Sequence, residues 1–509
     1  MYGRICETLP SHLSKRRKRV KTKPYKHQAE CLRISAEKKE FAILMEQGLG
    51  KSKVAIDTAE ILFKKKRISG MLVVAPNGVH TNWAIDEITT HLDARYVVNE
   101  YSASRKDTKK SKTSIDRLFR FDGLKVLCMN VESLSTSGYA FDLSKRFLEK
   151  FPSLMVVDES SRIKTPSASR TKRVITLGRR AEYRRICTGT PVTQSPFDLY
   201  SQFAFLDPMI LGFFSFYAFK HHYGIWEKKI MQKADKKWDY ENLVKYVNLD
   251  HLSNKIRDHS YRRTKKECLD LPDKIRKKIY VEMTAVQKNL LKEMTDEGLL
   301  RFSGFEELTP LQITRLLRCQ QIVGGFLPSY SGPGERDEGK VVELPENPKM
   351  NVLAELIADH PGKMVIWARF KPEIHRIVDM LKMTFGHETV VEIHGDVKDK
   401  HANADAFQKK RNVRFVVGQQ QSGIGLNLFE AETVVYYSNP FSYEQRYQSE
   451  DRCHRIGLKH PVLYIDLVAR DTVDERVIDV LLKAEKIADA ILDDHRRTND
   501  RKRKEKSHV

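Results

Sequence analysis

Two short segments near opposite ends of the chain restrict its fold more than anything else in it: Gly48-Leu49-Gly50-Lys51-Ser52, and Gln448-Ser449-Glu450-Asp451-Arg452-Cys453-His454-Arg455-Ile456-Gly457. A glycine-rich loop ending in Lys-Ser lets backbone N–H groups approach phosphate oxygens closely, with the lysine set against the outer phosphates and the hydroxyl open to a divalent cation. A remote arginine pair, Arg452 and Arg455, adds charge at a phosphoryl group only if the fold brings two distant parts of the molecule together. The pairing predicts two bodies that close on each other.

The loop follows an apolar run, Phe41-Ala42-Ile43-Leu44, and precedes the helical pattern Val54 to Ala59. That strand, loop and helix order places phosphate at a helix N-terminus. Met45 stands where the general pattern has its first glycine, and a bare turn beside a helix cap is the plain alternative. Farther along, Leu154-Met155-Val156-Val157 runs into Asp158-Glu159. In isolation an acidic pair after a strand reads as the solvated start of a helix. Behind a phosphate loop it reads as that loop's partner, with Asp158 and Ser52 as Mg²⁺ ligands and Glu159 orienting or deprotonating a water.

At 509 residues the chain exceeds what one core holds, so two or three domains are expected. Lys and Arg number 90 against 67 acids, a formal charge of +23, which favours a polyanionic partner through counterion release. Membranes are anionic too, but no apolar run is long enough to span a bilayer and the N-terminus lacks a signal-peptide core. Seven scattered cysteines, never spaced C-x-x-C, point to neither zinc nor disulfides; a cytoplasmic protein, in a reducing compartment, is expected.

Short apolar runs alternate with helical patterns from Pro24 to Asp207-Pro208, and again from 349 to 475, as in parallel sheets covered on both faces. The expected order is a basic arm (1–23), a first α/β domain (24–208), a lysine- and aromatic-rich helical insertion with a linker (209–348), a second α/β domain (349–475), and a C-terminal helix with a basic tail (476–509). The lysine runs at 64–66 and 227–237 read as solvated helix faces.

Further motifs make the chain resemble the SWI/SNF-like ATPases of helicase superfamily 2 from Pro24 to about Leu492. Pro24-Tyr25-Lys26-His27-Gln28 matches the adenine-reading element, and Asp158-Glu159-Ser160-Ser161-Arg162-Ile163-Lys164 the acidic box, with Ser161 in place of the usual histidine. Thr188-Gly189-Thr190-Pro191 and Ser195 to Pro208 match the element coupling nucleotide to DNA. Arg262 to Lys266 with Leu271-Pro272, and Gly423-Ile424-Gly425-Leu426-Asn427-Leu428, are similar to family segments. The arginine box ends in Leu458 where glutamine is common. Tyr436 to Ser442 and the compact length look most like the phage and bacterial branch. No chromatin-reading domain is recognisable, so chromatin remodelling is not expected.

The resemblance implies two RecA-like domains that bind ATP and Mg²⁺ in the cleft between them and hold double-stranded or branched DNA across both, as a monomeric translocase. It implies that Gln28, Gly48, Gly50, Lys51, Ser52 and Gly425 bind the nucleotide and that Lys51, Glu159, Arg452 and Arg455 serve catalysis. Thr188, Gly189, Thr190 and Gln448 would couple to DNA. A helicase or branch-migration motor on forks, and a DNA-binding or polymerase-recycling factor using ATP as a ligand, are the rival readings. His454 reads equally as an orderer of the arginine loop and as a satisfied core histidine; Trp83 reads as a core aromatic or as a DNA-stacking ring.

Overall fold

The computed structural model describes residues 22–103, 108–233, 236–294, 310–332, 335–423, 425–455 and 457–506. The basic arm expected at 1–23 therefore lies, except for residues 22 and 23, outside the described residues.

The apolar runs form strands as expected: β1 (Glu40–Met45), β2 (Gly70–Ala75), β3 (Tyr96–Glu100), β4 (Leu124–Asn130), β5 (Ser153–Asp158) and β6 (Tyr183–Cys187). Alternation divides each run between two faces. In β2, Leu72 and Val74 enter one core with Leu127 and Met155, whereas Met71 and Val73 enter the other with Val54 and Val126. The half-buried β3 is an edge strand that its mixed sequence hid.

The stretch expected as helical insertion and linker contains helices, and also strands. A hairpin of β7 (Gly224–Lys233) and β8 (Lys236–Tyr246) occupies the lysine-rich region, so the run at 227–237 is not a helix face. Trp226 explains this: on β7 its ring stacks on Phe197 at 5.8 Å, and that packing outweighs the helical propensity of the lysines. Next come β9 (Ser260–Arg263) and β10 (Lys274–Val281), which pair in parallel with different sheets, β9 with β1 and β10 with the last strand of the chain. A second hairpin, β11 (Phe326–Gly332) with β12 (Glu335–Glu343), completes the stretch.

The second domain supplies β13 (Met364–Trp367), β14 (Val390–Ile393), β15 (Phe415–Gly418), β16 (Thr433–Tyr436) and β17 (Val462–Ala469). The first sheet runs β3-β4-β2-β5-β6-β1-β9 and the second β10-β17-β16-β13-β15-β14, with every pairing parallel. The two domains thus begin to separate at Thr264 to Asp273, well before residue 349, because each sheet recruits an edge strand from the intervening segment. The helix Val473–Lys506 leaves the second sheet and returns to the first: Val477 and Leu481 pack by Tyr443, while Ile491 and Leu492 enter the first core with Leu252 and Ile256. Among the described residues no helix is long and apolar enough to cross a membrane.

Candidate functional site: the cleft between the two sheets

In the first sheet β6 lies between β5 and β1, so the loops after these three strands emerge side by side at their carboxyl ends, where open α/β sheets bind ligands. The loop after β1 turns through Gly48 and Gly50, at φ +80° and +79°, into the helix Lys51–Lys64. A side chain at Gly50 would put its Cβ 2.3 Å from Gln28 Nε2, so the glycine is required by both conformation and space. Gln28 is locked to this loop: Nε2 donates to the Leu49 carbonyl at 3.0 Å and Oε1 accepts from Tyr25 N at 3.0 Å. Lys51 is buried, with Nζ 3.5 Å from the Glu46 carbonyl.

Asp158 ends β5 and is held by two donors. Its Oδ2 accepts from the Trp83 indole N–H at 2.8 Å, and its Oδ1 from Glu159 N at 3.0 Å. Trp83 is buried, as the core reading had it, but its polar edge serves the acidic pair, and it opens a single π-helical turn, Trp83–Glu87. Such turns re-aim a side chain at functional positions. Glu159 sits at φ +47°, ψ +58°, a left-handed conformation that costs a non-glycine residue about 1–3 kcal/mol. Burial pushes both carboxyls up, with Lys51 opposing the rise; Glu159 reaches about 7, with Asp158 and Glu444 adding to the rise and Arg452 acting against it. Its Oε2 is buried without a protein partner.

Thr188-Gly189-Thr190-Pro191 follows β6. The ideal Cβ of Gly189 would lie 3.2 Å from Gln47 N, so this turn abuts the phosphate loop backbone. Thr188 Oγ1 accepts from Thr190 N at 3.1 Å. The acidic box is tied to the turn by a residue that no sequence pattern singled out: Ser160 Oγ donates to Gln202 Oε1 at 2.7 Å, and Gln202 Nε2 donates to the Pro191 carbonyl at 2.7 Å.

From the second sheet the helix Tyr443–Cys453 presents three groups to this assembly. Arg452 Nη2 donates to Gln47 Oε1 at 2.9 Å, and Gln47 Nε2 donates to Glu159 Oε1 at 3.2 Å. Ser161 Oγ, on the first side, donates to Glu444 Oε1 at 2.7 Å, and Gln448 Nε2 donates to the same oxygen at 3.2 Å. Gln448 is buried at this contact. Arg455 does not reach across: its guanidinium bonds Asn427 of its own domain, in the loop that carries Gly425 at φ +86°. His454 Nε2 bonds the Pro272 carbonyl at 2.8 Å, tying the arginine box to the interdomain segment. Lys265, buried in that segment, pairs with Asp451 at 3.0 Å, and its N–H donates to Glu46 Oε2 at 2.7 Å. The cleft therefore gathers Gln28, Gly48, Gly50, Lys51, Asp158, Glu159, Thr188 to Thr190, Gln448 and Arg452. Gln47, Gln202 and Glu444, and the bond from Trp83 to Asp158, carry no local sequence signal because these roles depend on partners distant in the chain.

Residues 27–321 match the family described as SNF2-related domain, and residues 348–457 match the helicase conserved C-terminal domain. The chain belongs to the SNF2-related family, as the order of its motifs implied. Relatives include Protein CHROMATIN REMODELING 4 of Arabidopsis thaliana, 23% identical over 90% of this chain and 20% of its own length. An uncharacterized ATP-dependent helicase of Mycoplasma pneumoniae is 24% identical over 88% and 40%. The chain thus spans well under half the length of these curated relatives. A solved Sulfolobus solfataricus SWI2/SNF2 ATPase core in complex with dsDNA aligns over 93% of both chains, with 22% identity and a TM-score of 0.40.

Proposed function

We propose that this chain is an ATP-hydrolysing motor of the SNF2 type that moves along double-stranded DNA, with hydrolysis in the cleft between the two sheets. The observation that carries this reading is the chain of contacts Arg452–Gln47–Glu159, because it joins an arginine of one domain to a carboxylate of the other beside the phosphate loop. Turnover at such a site depends on how the domains sit, and nucleotide-dependent domain movement is what a motor needs.

Each residue has a task that its surroundings support. Gly48 and Gly50 let the loop N–H groups face the phosphates, Lys51 neutralises the β and γ phosphates, and Gln28 braces the loop beneath the base. The donor set fits Mg²⁺: Asp158 is immobilised by Trp83 and its own neighbour, and Ser52 follows Lys51 in the first turn of the helix. When bound, Mg²⁺ supplies charge neutralisation to the phosphate oxygens. Glu159 accepts the proton of the attacking water through Oε2, which no protein group occupies. Arg452 and Arg455 stabilise the developing charge, Arg455 after leaving Asn427. Thr188 to Thr190, packed on the phosphate loop and linked to the acidic box through Gln202, carry the change towards DNA, with Gln448 reporting the second domain's position. The net charge of +23 supports a polyanionic track, and one chain holding both cleft halves supports a monomeric motor.

The deciding experiment measures phosphate release on duplex, forked, four-way-junction and single-stranded DNA and on RNA, with displacement of a third strand from a triplex as the readout of movement. Duplex-stimulated release with triplex displacement, both abolished in Glu159→Gln while ATP binding persists, is the expected result. Release unaffected by any nucleic acid sinks the motor reading, and separation of forked strands without triplex displacement replaces it by a helicase.

A further inference from the structure

The segment that joins the two domains does not leave the first one freely. After β9 it makes a capped turn: Thr264 N and Oγ1 both donate to Glu267 Oε2, at 2.7 and 2.8 Å, and Leu269 N donates to the Lys265 carbonyl at 2.7 Å. This turn fixes Lys265 where the domains meet. On the first-domain side Lys265 is tied to the root of the phosphate loop. Glu46, which follows β1 and begins that loop, accepts the Lys265 N–H on Oε2 and donates its own N–H to the Arg263 carbonyl at 3.0 Å, and its carbonyl is the one that Lys51 Nζ approaches at 3.5 Å. The stem of Lys265 passes alongside Gly48, with Cε 3.9 Å from the place of the Cβ that the glycine lacks.

On the second-domain side the Lys265 ammonium pairs with Asp451 at 3.0 Å and donates to the His454 carbonyl. These two residues bracket Arg452 at the end of the helix Tyr443–Cys453. Lys265 and Asp451 are both buried, so salt screens their attraction little, and removing either partner strands a charge. One residue thus holds the phosphate loop by its backbone and stem, and the arginine turn by its head.

We infer that Lys265 is a positioning residue, the pivot on which Arg452 swings towards the phosphate loop; this rests on the ATPase reading above. The contact of Arg452 with Gln47 lies at the tips of two long side chains, so it breaks as the domains part. The Lys265–Asp451 pair lies at the junction, where the same rotation displaces atoms least, and it persists. Arg452 therefore returns to one place at each closure, because the residues on either side of it are bound to a point on the loop's own root. Lys265 does this without touching the nucleotide.

The test is steady-state phosphate release by the full chain at saturating duplex DNA, with kcat and KM for ATP separated. Lys265→Met keeps the stem along Gly48 and deletes the charge. It should lower kcat by about a hundredfold, the cost of misplacing an aligned group by on the order of 1 Å, and leave KM within about threefold. Lys265→Arg keeps the charge and should recover about tenfold of that loss. Asp451→Asn should reproduce the fall in kcat, and it carries the test should the methionine variant misfold. In an Arg452→Ala background neither Lys265→Met nor Asp451→Asn should lower kcat further by more than about twofold, since the group they position is gone. An unchanged kcat in either folded variant, a loss that lies wholly in KM, or the full loss repeated in the Arg452→Ala background overturns the pivot while leaving the ATPase reading intact. A parental chain that binds a fluorescent ATP analogue yet releases no phosphate on any nucleic acid overturns the ATPase reading and the pivot with it.

Discussion

On the first-sheet side of the cleft, Lys51, Asp158, Glu159 and Thr188 each sit at a strand's end or within a few residues of one. On the second-sheet side, Arg452 lies in the last turn of a helix whose aim depends on buried ion pairs. Arg446 of that helix is bound to Asp466 of β17, with one contact at 3.1 Å, and its guanidinium lies 3.4 Å from the centroid of the Tyr436 ring. Glu450, one turn on, is paired with Lys274 at 3.1 Å, Arg276 at 2.9 Å and Arg446 at 3.0 Å. Burial pushes the Glu450 carboxyl up, but Lys274, Arg446 and Arg276 outweigh it and hold it well below its usual range. Lys274 and Arg276 belong to β10, the strand lent by the interdomain segment, so the arginine's aim and the join between domains share one network. The first half of the cleft is built by local backbone geometry, the second by tertiary electrostatics.

That contrast can be broken by substitution. Lys51→Ala should lower ATP turnover by about a thousandfold with the melting temperature unchanged, because the loop is held by its glycines and neighbouring strands. Full turnover in a folded Lys51→Ala protein, or a lowered melting temperature, would remove the contrast from its first side.

Glu450→Ala should do the reverse and destabilise the protein by roughly 3–5 kcal/mol, since it leaves three cations around an empty position. The same network predicts an acid dependence. A carboxyl depressed in the fold contributes stability that is complete above its ordinary value of 4.5 and is lost as pH falls below it. Chemical denaturation of the parent and of Glu450→Gln across that interval should show a gap that closes with acid; a constant gap refutes the electrostatic account.

Smaller changes sharpen the comparison within the first half. Trp83→Phe deletes the indole N–H held by Asp158 and should reduce kcat by roughly five- to tenfold while raising the Mg²⁺ concentration needed for half-maximal turnover. If the Mg²⁺ requirement stays where it was, the indole is only a packing group. The least effect is expected for Ser161→Ala, which loses one contact across the cleft to Glu444, worth about 1 kcal/mol. Triplex displacement should fall more than phosphate release does. Equal falls would make the position a structural one.

Much of the first half was legible in the amino-acid sequence. Gly48 to Ser52 behind an apolar run, and Asp158-Glu159 behind another, announce strand ends because the apolar run and the functional residue are adjacent, and β1 and β5 formed as the runs required. The lysine-rich stretch at 227–237 misled because a charged run carries no period of its own; the contact of Trp226 with Phe197 decided for a hairpin. Residues 260–263 and 274–281 were absorbed into an insertion because an edge strand is recognised by its partner rather than by its own hydrophobicity.

What the sequence determined by itself was the chemistry available and its order along the chain: a phosphate loop, an acidic pair, an arginine box, and two sets of parallel strands to carry them. Only the tertiary structure decided which of two arginines, three residues apart, reaches the opposite domain. Arg452 meets Gln47 and Arg455 meets Asn427, although both belong to one motif. It also turned Trp83 from a core aromatic into the clamp on Asp158, and matched Ser161 with Glu444. The physical reason is the same in each case. A strand, a turn or a helix start is set by interactions among near neighbours, whereas a hydrogen bond between residues 47 and 452 exists only once two separately folded sheets have been brought face to face.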